Sequence, residues 1–194
     1  MKNTITYLLI YLVVLACFSR CDTQEKEVVK TQLFDLNWKF YYGNTNIPED
    51  IKYNDQVWRN LDLPHDCNKD YGLLKSHTIT RIPSGETKVV WYRKHFDIPE
   101  SWNGKNIWIK FQGISNPYEI YINGKCLSVN HNTSEIFESD ITSYLQSEGE
   151  NVVLVKLSKN KQSNGIYSDS FGIYNHVWLV VKDSIQTNTW ARIK

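Results

Sequence analysis

His65 and Asp66 stand side by side, a base next to a carboxylate, and acid–base chemistry is what such a pair can do. A lone His-Asp dipeptide is seldom catalytic, however. Here it ends Leu63-Pro64-His65-Asp66, where proline cannot donate to a strand ladder and aspartate accepts hydrogen bonds from a turn backbone. The expectation is therefore a structural role. The other reactive side chains are no better grouped. His65, His77, His95, His131 and His176 show no metal-ligand spacing such as His-x-x-x-His. No Gly-x-Ser-x-Gly nucleophile elbow is present, and no glycine-rich phosphate loop. The sequence thus offers no catalytic residue, no metal site and no cofactor.

Composition narrows the classes further. The chain has 194 residues, 41% hydrophobic and 22% charged, as expected of about one folded domain. Lys and Arg number 22 against 21 Asp and Glu, so no basic excess exists to neutralise a phosphate backbone, and nucleic acid is excluded as a partner. Aromatics are abundant: 7 Trp, 12 Tyr and 7 Phe, against a single Met. That favours a β-rich domain. Core packing accounts for most such rings, and the apolar face of a sugar ring is a second use for them.

The first 21 residues read as a leader. Lys2 supplies a positive start, and Ile5 to Ala16 form a 12-residue, nearly all-apolar run. Such a run suits a signal peptide and is shorter than the roughly 20 residues of a membrane-spanning helix. Val14-Leu15-Ala16-Cys17 resembles a bacterial lipobox, which makes Cys17 the expected lipidation site. Cys21 is the alternative, although Arg20 precedes it and the polar stretch starting at Asp22 follows it. Residues 22–32 are polar and aperiodic, a tether. Beyond the leader two cysteines remain, Cys67 and Cys126, and nothing in the sequence decides between a disulfide and two free thiols.

The elements that must position any site are strands. Ile107, Ile109 and Phe111 alternate with Trp108, Lys110 and Gln112, the pattern of a half-buried strand. Residues 118–122 and 125–129 flank Asn123-Gly124, a hairpin signal because a type I′ turn needs positive φ at both central residues. Residues 89–96, 152–157 and 177–181 read as further strands. Alternation sends Trp91 and Tyr92 to opposite faces, so at most one of them points into the core, and Arg93 reads as an ion-pair residue on a sheet face. Helix is scarce. The best candidate is one turn over 140–145, capped by Asp140 or Ser139. The reading is all-β, a jelly-roll β-sandwich over residues 33–194.

Several segments in order resemble the N-terminal sugar-binding domain of glycoside hydrolase family 2, the family of β-galactosidases, β-glucuronidases and β-mannosidases. Phe34-Asp35-Leu36-Asn37-Trp38-Lys39-Phe40 resembles its opening strand. Trp58 to Asp66 is similar to its Trp-x-x-Leu-x-Leu-Pro-His-Asp segment, and Trp91-Tyr92-Arg93-Lys94-His95-Phe96 to its Trp-Tyr-Arg-Lys-x-Phe stretch. Phe111-Gln112-Gly113, the Ile122-to-Lys125 hairpin, Phe137 to Leu145, Glu150-Asn151-Val152 and Gly172-Ile173-Tyr174 with Val177-Trp178-Leu179 complete the series.

The resemblance implies a galactose-binding-like jelly roll. It also implies that two stretches approach a sugar, one after Leu-Pro-His-Asp and one before Gly-Ile-Tyr. On that basis Asp66, Asn164, Tyr167 and Asp169 are the candidate ligand-binding residues. The chain departs from the family pattern at both stretches: Cys67 stands where the family has Trp, and Ile166, Tyr167, Ser170 and Asn175 replace Arg, Trp, Gly and Arg. Removing two planar Arg donors and an indole face takes away groups suited to sugars. The family's catalytic carboxylates, about 5–5.5 Å apart in a retaining enzyme, belong to a barrel of about 250 residues, which 194 residues cannot hold. The resemblance therefore implies a non-catalytic carbohydrate-binding or accessory domain, and the leader adds export to the periplasm or anchoring to a bacterial membrane through its lipid alone. An interaction module that packs against a separate hydrolase chain is the alternative, with Trp102, Trp108 and Trp190 as its surface. Hydrolysis inherited with the family is the third reading.

Overall fold

A computed structural model describes residues 29–43, 51–74, 88–115, 117–130, 136–159 and 170–182. Among these, ten strands and one helix follow in the order β1 (Val29–Leu33), β2 (Trp38–Tyr42), β3 (Arg59–Leu61), α1 (Cys67–Leu74), β4 (Lys88–Phe96), β5 (Asn106–Phe111), β6 (Tyr118–Ile122), β7 (Lys125–Asn130), β8 (Phe137–Asp140), β9 (Asn151–Lys159) and β10 (Val177–Lys182). They form two antiparallel sheets, one in the order β1-β10-β5-β8 and one in the order β3-β2-β4-β9-β6-β7. Both sheets contribute to one hydrophobic core, so the fold is all-β and a sandwich. Ile107, Ile109, Phe111, Val177 and Leu179 face Phe40, Tyr92, Ile120, Val153 and Val155 across it.

The alternation read from the sequence is the alternation of burial. In β5, Ile107, Ile109 and Phe111 are buried while Trp108 and Lys110 are half-exposed. The 123–124 turn has φ of 49° at Asn123 and 77° at Gly124, as the hairpin requires. Trp91 and Tyr92 do point to opposite faces, yet both are buried. Tyr92 enters the main core, and Trp91 joins Trp58, Val89 and Leu154 in a second cluster on the other side of the six-stranded sheet. The 51–58 segment lies over that side. This explains why β4 and β9 read as nearly continuous apolar runs rather than as alternating strands.

Three sequence readings need correction. Val29–Gln32, read as the end of a tether, are the start of β1 and pair with β10. The turn at 140–145 is a 3₁₀ turn confined to Thr142–Tyr144, although Asp140 Oδ1 does accept from the Thr142 amide at 2.8 Å and hydroxyl at 2.6 Å. And α1 was not expected at all. It starts because Asp66 Oδ1 accepts from the Asn68 amide at 3.0 Å while the Asp66 carbonyl accepts from Lys69 and Asp70. Residues 1–28, which hold the expected leader and Cys17 and Cys21, lie outside the described residues. Cys67 is buried, Cys126 is exposed, and the two are free thiols.

Candidate functional site

Two strips of chain that are far apart in sequence are sewn together beside β4. The His65 amide donates to the Ile173 carbonyl at 2.8 Å and the Cys67 amide to the Phe171 carbonyl at 2.7 Å. In return the Phe171 amide donates to Asp66 Oδ1 at 3.1 Å. Ser115, after β5, holds the other edge of the second strip. Its amide donates to the Gly172 carbonyl at 3.0 Å, its hydroxyl donates to the Ser170 carbonyl at 3.2 Å, and it accepts from the Gly172 amide at 3.0 Å. Only glycine fits at 172. Its φ is 152°, and a Cβ there would collide with the His65 carbonyl oxygen and come within 2.7 Å of the Tyr92 hydroxyl.

A chain of polar side chains runs beneath this seam. His65 Nδ1 lies 2.7 Å from the Tyr92 hydroxyl and Nε2 lies 2.6 Å from Asp70 Oδ2. Arg59 reaches the same carboxylate and sits 3.0 Å from Nε2. Asp70 in its ionised form can only accept, so Nε2 carries the hydrogen and Nδ1 accepts from the Tyr92 O–H. Burial pushes the His65 pKa below its ordinary value, against the pull of Asp70. For Asp70, burial favours the neutral acid, but the hydrogen bonds from His65 and Arg59 outweigh it and hold the carboxyl below its usual range. Burial, with Cys67 nearby, drives the Tyr92 phenol well above its ordinary value. At neutral pH the chain is a neutral phenol, a neutral imidazole, a carboxylate and a guanidinium, in which the Tyr92 O–H donates to His65 Nδ1 and both the His65 Nε2–H and Arg59 donate to Asp70.

Of the ligand-binding candidates, Asp66 lies on the seam itself. One carboxylate oxygen is committed to the Asn68 and Phe171 amides, and Oδ2 faces Lys69 Nζ at 3.7 Å. Asn164, Tyr167 and Asp169 lie outside the described residues; Ser170, the next residue after Asp169, is part of the seam. The sequence reading did not find Arg59, Asp70, Tyr92 or Ser115. Asp70 stands four residues after Asp66, a helical spacing that was visible; Tyr92 of β4 and Ser115, after β5, come from elsewhere in the chain and left no local signal.

The remaining candidates resolve into structure. Arg93 is fully buried on the outer side of the six-stranded sheet, with Nε 3.2 Å from Asp55 Oδ2 and a hydrogen bond of 2.8 Å to the Ile51 carbonyl. It is the sheet-face ion-pair residue that was expected. His95 bridges Asp55 and Glu150, 2.8 Å from each. His176 Nδ1 lies 2.6 Å from Asp35, which also accepts from the Val177 amide. Among the described residues, no group of three or more His, Cys, Asp or Glu has the arrangement of a metal site. Nor is any described helix long and apolar enough to cross a membrane. Trp102, expected as a surface residue, is buried in the main core; Trp108 is half-exposed, and Trp190 is outside the described residues.

Comparison with known proteins decides the family. The model of the glycosyl hydrolases family 2 sugar binding domain matches residues 45–183. The chain belongs to that family. It is 32% identical over 149 residues to a β-glucuronidase of Formosa agariphila, covering 75% of this chain and 15% of that protein. It is 31% identical over 162 residues to β-galactosidase BoGH2A of Bacteroides ovatus, covering 81% of this chain and 19% of the other. A crystal structure of a β-glycosidase from Bacteroides vulgatus superposes with a TM-score of 0.66 at 34% identity, covering 78% of this chain and 20% of that one. This family 2 domain thus spans between about a seventh and a fifth of the length of these relatives.

Proposed function

We propose that this chain is a carbohydrate-binding or accessory domain of jelly-roll, galactose-binding-like topology that acts without catalytic residues of its own. One observation carries the reading. The seam at Asp66 and Phe171 joins the strip after Leu-Pro-His-Asp to the strip before Gly-Ile-Tyr, the two stretches that the family resemblance implicates in approaching a sugar. Asp66 Oδ2, at the edge of that rim, is the acceptor for a sugar hydroxyl, and the family resemblance gives Asn164, Tyr167 and Asp169 as the other ligand-binding residues. The leader directs export and Cys17, with Cys21 as the alternative, carries a lipid, so the domain works in the periplasm or at a bacterial membrane surface. Titration of the protein with β-galactosides, β-glucuronides and β-mannosides, followed by tryptophan fluorescence, tests this: saturable binding that Asp66→Ala weakens supports it, and silence across the panel overturns it. Turnover of an aryl glycoside that a single carboxylate substitution abolishes would replace it with a hydrolytic reading.

A second reading is favoured by the outer face of the four-stranded sheet. There the exposed Val29 and Leu33 of β1 lie in register with Lys182 and the half-buried Trp178 of β10, and Trp108 of β5 stands opposite Val180. These apolar side chains, interspersed with Lys110 and Lys182, are the kind that a protein interface uses. Trp108→Ser with Leu33→Ser abolishing co-purification of a partner chain would support it; no change in any association would dismiss it.

A further inference from the structure

The chain of side chains under the rim is paired in one direction at neutral pH. The Tyr92 O–H donates to His65 Nδ1 at 2.7 Å, and the His65 Nε2–H donates to Asp70 at 2.6 Å, which also receives Arg59. Adding a proton to His65 places an N–H on Nδ1, facing the hydroxyl that had been donating to it. The Tyr92 O–H must then turn away from its acceptor within a buried site beside Gly172, and a hydrogen bond lost in such a site is costly. The charged and titratable groups facing His65 are Arg59 from β3, Asp66 and Asp70 at and in α1, and Tyr92 from β4; Cys67 acts on Tyr92. The Phe40 ring closes the remaining side, 4.8 Å away and edge-on.

We infer that His65 is the positioning residue of the rim: neutral, it ties Asp70 of α1 to Tyr92 of β4 while its amide holds the Ile173 carbonyl, and protonated, it loses the Tyr92 bond and shifts Asp66 and Phe171. The rim is therefore sensitive to mild acidity. The consequence for a bound sugar rests on the carbohydrate reading above; the coupling itself does not. Burial already keeps the His65 pKa below 6.5, so the locked state holds at neutral pH and opens on the acid side.

The test is an NMR titration of the full chain from pH 8 to pH 5, without ligand, that follows the His65 ring nitrogens and the amides of Asp66, Asn68, Phe171 and Gly172. The expected result is an Nε2–H tautomer at pH 8, a His65 midpoint below 6.5, and the four amides moving with that same midpoint. Tyr92→Phe removes the donor that favours neutral imidazole and raises the midpoint. Asp70→Asn removes the anion that favours imidazolium and lowers it. If Tyr92→Phe fails to fold, the sign of the Asp70→Asn shift alone decides. Amides that stay flat through the His65 midpoint, an Nδ1–H tautomer at pH 8, or a midpoint that Asp70→Asn raises would overturn the inference. Coupled amides in a protein that binds no glycan would instead overturn the carbohydrate reading and leave His65 as the positioning residue.

Discussion

Two buried polar knots tie loops to this sandwich, and they are made of different chemistry. At the start of β9, Asn151 is fully buried. Its Oδ1 accepts from the Gln146 amide at 2.8 Å and from Asn123 Nδ2 at 2.7 Å, and its Nδ2 donates to the Gln146 carbonyl at 3.0 Å. Asn123 completes the knot by accepting from the Val152 amide and donating to the Tyr144 carbonyl. Beneath the rim, the corresponding work is done by Arg59, His65, Asp70 and Tyr92. Amides carry no proton to gain or lose near neutral pH, so the first knot is fixed. The second contains His65, Asp70 and Tyr92, whose pKa values burial and pairing have moved, and its geometry depends on the protonation of one imidazole. The difference separates the part of the fold that only needs to hold from the part at which a ligand is expected.

Substitutions that break each knot should show that difference. Asn151→Ala strands several buried partners and should have the largest effect, about 2–4 kcal/mol of unfolding free energy. In urea titrations its loss should be the same at pH 8 and pH 5; a strong pH dependence would contradict the fixed-knot description. Gly172→Ala forces a Cβ against the His65 carbonyl and the Tyr92 hydroxyl, and should cost about 1–3 kcal/mol with the rim amides perturbed. Tyr92→Phe conserves the packing and removes one hydrogen bond, about 1 kcal/mol at pH 8. Its cost should shrink at pH 5, where the wild-type relay has already been disturbed. Arg59→Met, at a side chain 42% exposed, should change stability by only a few tenths of a kcal/mol.

The wild-type pH profile follows from the same groups. His65 has its folded pKa below 6.5, so the unfolded chain binds its proton first as pH falls; stability is complete above 6.5 and declines as pH drops toward the folded value. Asp70, held below 3.8, adds a second loss only in stronger acid. Asp70→Asn should remove that second phase, as chemical denaturation below pH 4 would reveal.

Much of the sandwich was legible because period-2 burial writes itself into β5, β6 and β10, and because Asn123-Gly124 needs its positive φ. β4 and β9 were legible as strands but not as strands covered on both sides, since the covering Trp58 belongs to a segment with no pattern of its own. Helix α1 was hidden for a different reason: Cys-Asn-Lys-Asp-Tyr-Gly-Leu-Leu has no amphipathic stripe, and its one local sign was the capping Asp66. The rim was half legible. His65 and Asp66 drew notice as a pair, and the structural role expected for them is the role they have. Tyr92, which donates to the second ring nitrogen of His65, lies 27 residues away on another element, and the glycine that crowds both lies beyond that. Such juxtapositions depend on sheet register, which no short window contains.

The most direct test of the central claim is amide mapping of the full chain at pH 7.5 with a β-glucuronide, a β-galactoside and a β-mannoside in turn. The account predicts saturable shifts for at least one of them, concentrated at Asp66–Asp70 and Ser170–Gly172 and lost in Asp66→Ala. Shifts confined to Trp108, Trp178 and β1, or no shifts at all, would contradict it.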